Sequence, residues 1–150
     1  MIFMYDVFFT QQGYEVNTDK KQLQTTEIFR FLTEEAYWAE GLTLDKLQKA
    51  IEGSLCFGLY HRNQQVGFAR VVTDYVSLAY ICDVYVLKTH RKKGLSKWLV
   101  QHILNNEALG SVRRLMLATA DAHGLYAQFG FNALDHPEYF MSIFKPYSQD

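Results

Sequence analysis

The stretch Val86-Leu87-Lys88-Thr89-His90-Arg91-Lys92-Lys93-Gly94-Leu95-Ser96-Lys97-Trp98-Leu99 decides how the chain is read. It joins a β-rich run to a helical segment over residues 94–105, in which Leu95, Trp98, Leu99 and Ile103 mark one apolar face. The first N–H groups of such a helix lack intrahelical partners, and its dipole favours negative charge there. Gly94 permits close backbone approach, and Arg91, Lys92, Lys93 and Lys97 supply charge to match a diphosphate. By itself the pattern fits a solvated basic turn as well as an anion site.

Upstream, three strand-like runs are expected at residues 54–61, 65–73 and 76–87, separated by the polar turn Arg62-Asn63-Gln64 and a short link at Asp74. Their spacing predicts an antiparallel meander. Before them, Thr43 caps a helix carrying Leu44, Leu47 and Ile51, which stops at Gly53. A further helix is expected over residues 19–32 and a first strand over 14–18. Residues 1–13, with Phe3, Val7, Phe8 and Phe9, suit a covering strand or a partner surface.

Downstream, Leu115 to Thr119 is a short apolar run typical of strands buried on both faces. Ala122, Leu125, Tyr126 and Phe129 then fall in helical register up to Gly130, and Met141 to Phe144 offers a last strand. The expected order is β-α-α-β-β-β-α-β-α-β, an α/β mixed sheet with helices on its faces. No linker or repeat divides the 150 residues, so a single domain over 1–150 is expected.

The formal charge of −1 gives no global basic field, which argues against nucleic acid or an anionic membrane surface as partner. Cys56 and Cys82 lie in apolar stretches without metal-ligand spacing, so neither a disulfide framework nor a metal site is expected. The N-terminus lacks a basic region and cleavage site, and no apolar run approaches the roughly 20 residues a spanning helix needs. These features point to a cytoplasmic protein.

Two motifs now carry a resemblance. The loop quoted first resembles the cofactor motif Arg/Gln-x-x-Gly-x-Gly/Ala of the GNAT N-acetyltransferases, with Arg91, Gly94 and Ser96 at the motif positions. Ser96 stands where Gly or Ala is usual, and Lys92 where many members carry glycine. The stretch Thr119-Ala120-Asp121-Ala122-His123-Gly124-Leu125-Tyr126-Ala127-Gln128-Phe129-Gly130-Phe131 resembles the downstream motif, in which an Ala-x-x-Leu-Tyr helix runs into Gly-Phe. Together they span residues 76–131.

The resemblance implies a mostly antiparallel twisted sheet of 6–7 strands flanked by about four helices, with a splayed central strand pair. It implies acetyl transfer from acetyl-CoA, as co-substrate and without a metal, to a primary amine of a small molecule, peptide or protein. It places the diphosphate at Arg91, Lys92, Lys93, Gly94, Leu95 and Ser96, and the acetyl carbonyl and pantetheine at the amides of Val84 and Val86. Thr119 stands where the family often has an asparagine that reaches the pantetheine arm; capping of the following helix fits it equally.

Acyl transfer also needs a proton for the departing thiolate and a base for the amine. Tyr126, a phenol of pKa about 10 facing a thiol of roughly 8.5, fits the first need by position. Its other reading is a core aromatic. Asp83 is the candidate base, although strand alternation turns it away from Cys82 and Val84 unless a bulge intervenes; Tyr80, Asp74 or a water are alternatives. Tyr37, Trp38 and Tyr80 are candidate walls for the acceptor. The runner-up function is a non-catalytic acyl-CoA sensor, and the aromatic segment 139–147 offers a surface through which a homodimer would extend its sheet.

Overall fold

The structure is a computed structural model that describes residues 2–36 and 39–147, with side chains from Tyr5 onward. Among these residues five strands form one sheet in the order β1-β2-β3-β4-β5. They are β1 (Tyr14–Asn17), β2 (Leu55–His61), β3 (Gln64–Thr73), β4 (Leu78–Val86) and β5 (Arg114–Leu117). The first four run antiparallel to their neighbours, and β5 runs parallel to β4. Five helices accompany them: α1 (Ile2–Gln11), α2 (Thr25–Glu34), α3 (Leu44–Glu52), α4 (Leu95–Leu104) and α5 (His123–Ala127).

Local chemistry explains most boundaries. Thr43 Oγ accepts from the Lys46 N–H at the start of α3, and Gly53 closes its end. The expected helix over 19–32 divides, because Asp19 accepts from the Lys21 N–H and holds residues 20–22 in a tight 3-10 turn before α2 begins. Helices α2 and α3 cover one face of the sheet, where Ile28, Phe31, Leu32, Leu47 and Ile51 pack with Phe68 and Tyr85. Leu99 and Ile103 of α4 pack on the other face against Val71 and Ile81.

Two sequence expectations need correction. The N-terminal segment is a helix, not a covering strand. Its Phe9 ring lies 4.9 Å from that of Trp98, whose Nε1 donates to Asp6 Oδ1 at 2.6 Å. Burying Phe9 to 2% exposure stabilises this docking by about 1.5–3 kcal/mol, which overrides the β-like look of Val7-Phe8-Phe9. The last strand does not form: Met141, Ile143 and Phe144 stay exposed and unpaired in a segment bracketed by Pro137 and Pro146. Among the described residues the sheet therefore has five strands rather than 6–7, and the α-helices number five rather than about four.

The functional geometry comes from how β4 and β5 part. Their parallel register runs from Leu78↔Arg114 to Ile81↔Leu117 and stops, while β4 continues to Val86. Because β5 ends at Leu117, β4 from Cys82 to Val86 has no partner strand on that side among the described residues.

Candidate active site

A cleft of 690 Å³ lies by the last β4–β5 pair, walled by β4 from Tyr80 to Val84, by residues 117–122, and by Arg70, Val72, Tyr126 and Tyr147. Beside it lies a smaller pocket of 200 Å³ formed by Val86, by the loop from His90 into α4, and by Leu125. Asp83, Val84, Thr119, Tyr126 and Tyr80 thus share one cleft. Arg91, Lys92, Gly94, Leu95 and Ser96 share the adjoining pocket; Lys93 belongs to the same loop but not to the pocket wall. Tyr37 and Trp38 lie outside the described residues.

In the loop, Gly94 is the residue before α4 and adopts φ +88°. The first bond within the helix runs from the Trp98 N–H to Gly94 O, so the N–H groups of Leu95, Ser96 and Lys97 have no intrahelical acceptor. Arg91 folds back, its Nε donating to Val86 O at 2.9 Å, which ties the loop to the end of β4. Lys92 sits at φ +64°, a left-handed conformation that disfavours any side chain. Replacing Lys92 with Gly should relieve about 1 kcal/mol of net strain and raise the thermal midpoint by roughly 2–4 °C, read by a calorimetric melt.

Along β4, the Leu87 N–H bonds Val66 O at 2.7 Å, towards β3. Antiparallel alternation then turns the N–H of Val86, and that of Val84 two residues earlier, away from β3 into the gap left by β5. These are the donors that a carbonyl entering the gap would meet.

A bulge lies between those amides and the start of the strand. The β3–β4 register shifts between Phe68 and Arg70, and Asp83 takes φ +54°. The extra residue reverses the alternation: Ile81 before it and Val84 after it both face α4, while Tyr85 faces α2 and α3. Asp83 consequently joins the cleft wall, where its Oδ2 accepts from Arg70 Nε at 2.8 Å. Asp74 is elsewhere, in the exposed β3–β4 turn, where bonds from the Ser77 hydroxyl and the Val76 and Ser77 N–H groups hold it well below the usual carboxylate range.

Tyr126 is 8% exposed, its ring edge-on to Phe131, and burial pushes its phenol above the ordinary value. Its hydroxyl makes no hydrogen bond among the described residues and stays a protonated donor at neutral pH. Thr119 Oγ1 accepts from the Ala122 N–H at 3.0 Å, so it holds the turn into α5 while standing on the cleft wall.

Cys82 also lines the cleft, but burial pushes its thiol up to about 12, and that of Cys56 to about 11. Both are free cysteines held as thiols, and a thiol is a poor nucleophile. At pH 8 the native protein should react with a colorimetric thiol reagent at least tenfold more slowly than the denatured chain, with two thiols appearing on denaturation. No group of described residues has the makings of a metal site, and no described helix is long and apolar enough to cross a membrane.

Arg70 is the site residue that the sequence reading passed over. Its signal was present: in Gly67-Phe68-Ala69-Arg70-Val71 a cation stands two residues from Phe68, on the face that alternation assigns to the core. A charge at such a position needs a partner, and the bulged Asp83 is that partner.

Comparison with known proteins bears on the family and the fold. Residues 17–131 match the acetyltransferase (GNAT) family. A protein of Gibberella zeae, named provisionally as an acetyltransferase, is 34% identical over 140 residues, covering 79% of this chain and 78% of its own. A crystal structure from Xanthomonas campestris pv. campestris, provisionally described as an acetyltransferase of the same family, superposes with a TM-score of 0.87 at 40% identity, covering 91% of this chain and 97% of that one. The fold also recurs at 19% identity and TM-score 0.65 in N-acetylglutamate synthase from Neisseria gonorrhoeae, solved with coenzyme A and N-acetyl-glutamate; 83% of this chain and 30% of that chain are covered.

Proposed function

Because the chain belongs to the acetyltransferase (GNAT) family, which makes it a transferase drawing acetyl groups from acetyl-CoA, we propose that it acetylates a primary amine by direct attack on the thioester. The observation that supports this reading is the end of β5 at Leu117, beyond which β4 runs on without a partner on that side, with Val84 lining the cleft and Val86 lining the pocket at the basic start of α4. The residues fit the co-substrate: free N–H groups and cations suit the diphosphate, and the open strand suits a pantetheine amide chain.

In this reading the N–H groups of Leu95 and Ser96, with Gly94 held left-handed, bind the diphosphate, and Arg91, Lys92 and Lys93 balance its charge. The amide of Val84 polarises the acetyl carbonyl, and that of Val86 holds the pantetheine alongside Thr119. The amine nitrogen forms the new bond to the carbonyl carbon as the C–S bond breaks. Asp83 takes the proton the nitrogen sheds, Tyr126 donates to the leaving sulfur, and Tyr80 walls the acceptor side. Cys82, held as a thiol, is unsuited to an acetyl-cysteine intermediate, which supports direct transfer.

Calorimetric titration with acetyl-CoA, paired with thiol release in the presence of amines, tests this function. Saturable binding and release that depends on the amine are expected. Absence of binding by folded protein, or release indifferent to amines, would overturn it.

A further inference from the structure

We propose that the acceptor is a zwitterion, an α-amino acid or a compound carrying the same ammonium–carboxylate pair, recognised by the Arg70–Asp83 ion pair in the cleft wall. This rests on the acetyl-transfer reading and names the substrate class of that site. Arg70 is held at two points: Nε donates to Asp83 Oδ2 at 2.8 Å, and Nη1 donates to Ser54 Oγ at 3.1 Å. Ser54 is itself anchored, its hydroxyl donating to Ala50 O at 2.7 Å. Arg70 Nη2 and Asp83 Oδ1 have no partner among the described residues, and neither is a fully enclosed atom. Both residues line the cleft, each with one polar atom left unpaired, and the pair is held by the sheet and the end of α3.

Three features separate this pair from an ordinary strut. The side chains are only 15% and 14% exposed, and a pair this buried contributes little net stability because desolvation offsets its attraction. Asp83 reaches it through a bulge at φ +54°, next to the amides proposed to hold the acetyl group. Arg70 also lies on the sheet face shared with Phe68 and covered by α2 and α3, opposite the face that carries α4.

Charge logic then selects the ligand. An amine with no other charge would satisfy Asp83 but lie beside Arg70, leaving a desolvated cation without compensation. A plain carboxylate would meet the mirror-image fault at Asp83. A molecule carrying both charges one carbon apart leaves neither uncompensated, and its charge separation is comparable with the 2.8 Å between Arg70 Nε and Asp83 Oδ2. The reaction balances as an ordinary transfer: the ammonium gives up one proton to solvent by way of Asp83, the neutral nitrogen gains the acetyl group as the thioester C–S bond breaks, and a second proton leaves the nitrogen to match the one delivered to the CoA thiolate, so one proton is released in net.

The test compares phenylalanine with phenethylamine, arginine with agmatine and histidine with histamine, by thiol release from acetyl-CoA. Calorimetric binding of each amino acid to protein saturated with CoA, which cannot turn over, supplies a second readout. At least one amino acid should exceed its decarboxylated partner about 100-fold in kcat/KM and should bind the CoA-loaded protein saturably. The double variant Arg70→Gln, Asp83→Asn keeps a neutral hydrogen-bonded pair. It should retain acetyl-CoA binding while calorimetric binding of the amino acid to the CoA-loaded protein weakens at least tenfold. Equal or better turnover of the decarboxylated amines by the parent, failure of every amino acid to bind, or amino-acid binding undiminished in a folded double variant would overturn the proposal. Failure of the parent to bind acetyl-CoA would instead remove the acetyl-transfer reading beneath it. The parent comparison decides the matter even if the variant does not fold.

Discussion

Gly94→Glu should weaken acetyl-CoA binding by at least two orders of magnitude while the protein stays folded. Gly94 sits at φ +88° at the mouth of α4, with only Phe9 Cζ near the position of an added Cβ, at 3.7 Å. Space is therefore available, and the cost to folding is the left-handed conformation, about 1–2 kcal/mol for an L side chain. The cost to binding is larger. A carboxylate about 4 Å from a phosphate oxygen opposes it by about 4 kcal/mol at the effective dielectric of a protein surface, and the side chain also screens the N–H groups of Leu95 and Ser96. Gly94→Ala carries the strain without the charge and should lose less than about tenfold. Titration of both variants, with thermal melts as the check on folding, separates the two causes. A Glu variant that binds as tightly as the parent would move the cofactor away from this loop.

The two ends of the site differed in how plainly the sequence announced them. The basic loop and the Ala122-to-Gly130 segment were legible because their chemistry is local: a glycine at a left-handed position, cations in one turn, apolar residues in helical register. The Asp83 bulge was not. Its left-handed residue is an aspartate, and nothing nearby in sequence requires it; the bulge brings Asp83 to Arg70 on the neighbouring strand. Such a feature lies in a pairing between strands, beyond the reach of periodicity along one of them. The same holds for α1, whose helix depends on Asp6 and Phe9 meeting Trp98 some ninety positions later. At the other end, Met141 to Phe144 shows the converse error, since apolar alternation without an available partner strand did not make a strand.

That distinction bears on catalysis, because the groups proposed to do chemistry sit on the least regular backbone. The acetyl carbonyl is proposed to meet amides of β4 beyond the end of β5, and the amine a carboxylate displaced by a bulge. Both devices interrupt the hydrogen-bond ladder where a reacting group must enter. The flanking strand pairs, β2 with β3 and β3 with β4, supply the rigidity that keeps those interruptions in place.

Tyr126→Phe should lower kcat by about 10²–10³-fold, within the range a positioned general acid supplies, and should leave acetyl-CoA affinity within about twofold. The ring alone accounts for the packing against Phe131. Removing only the hydroxyl keeps that contact and breaks no hydrogen bond among the described residues, so stability should be nearly unchanged. The hydroxyl is proposed to matter when negative charge develops on the leaving sulfur, an interaction that the ground state lacks; its loss therefore appears in kcat rather than in binding. The pH profile gives an independent readout. Burial raises the Tyr126 phenol above its ordinary value of about 10. Activity that depends on its protonated form should therefore fall with rising pH at a higher pH than an unperturbed phenol would give. A more acidic acetyl thioester, whose thiol leaves without proton assistance, should recover most of the lost rate in the variant but gain little in the parent. If Tyr126→Phe turns over within about threefold of the parent, the phenol is a packing residue and the thiolate must take its proton from water.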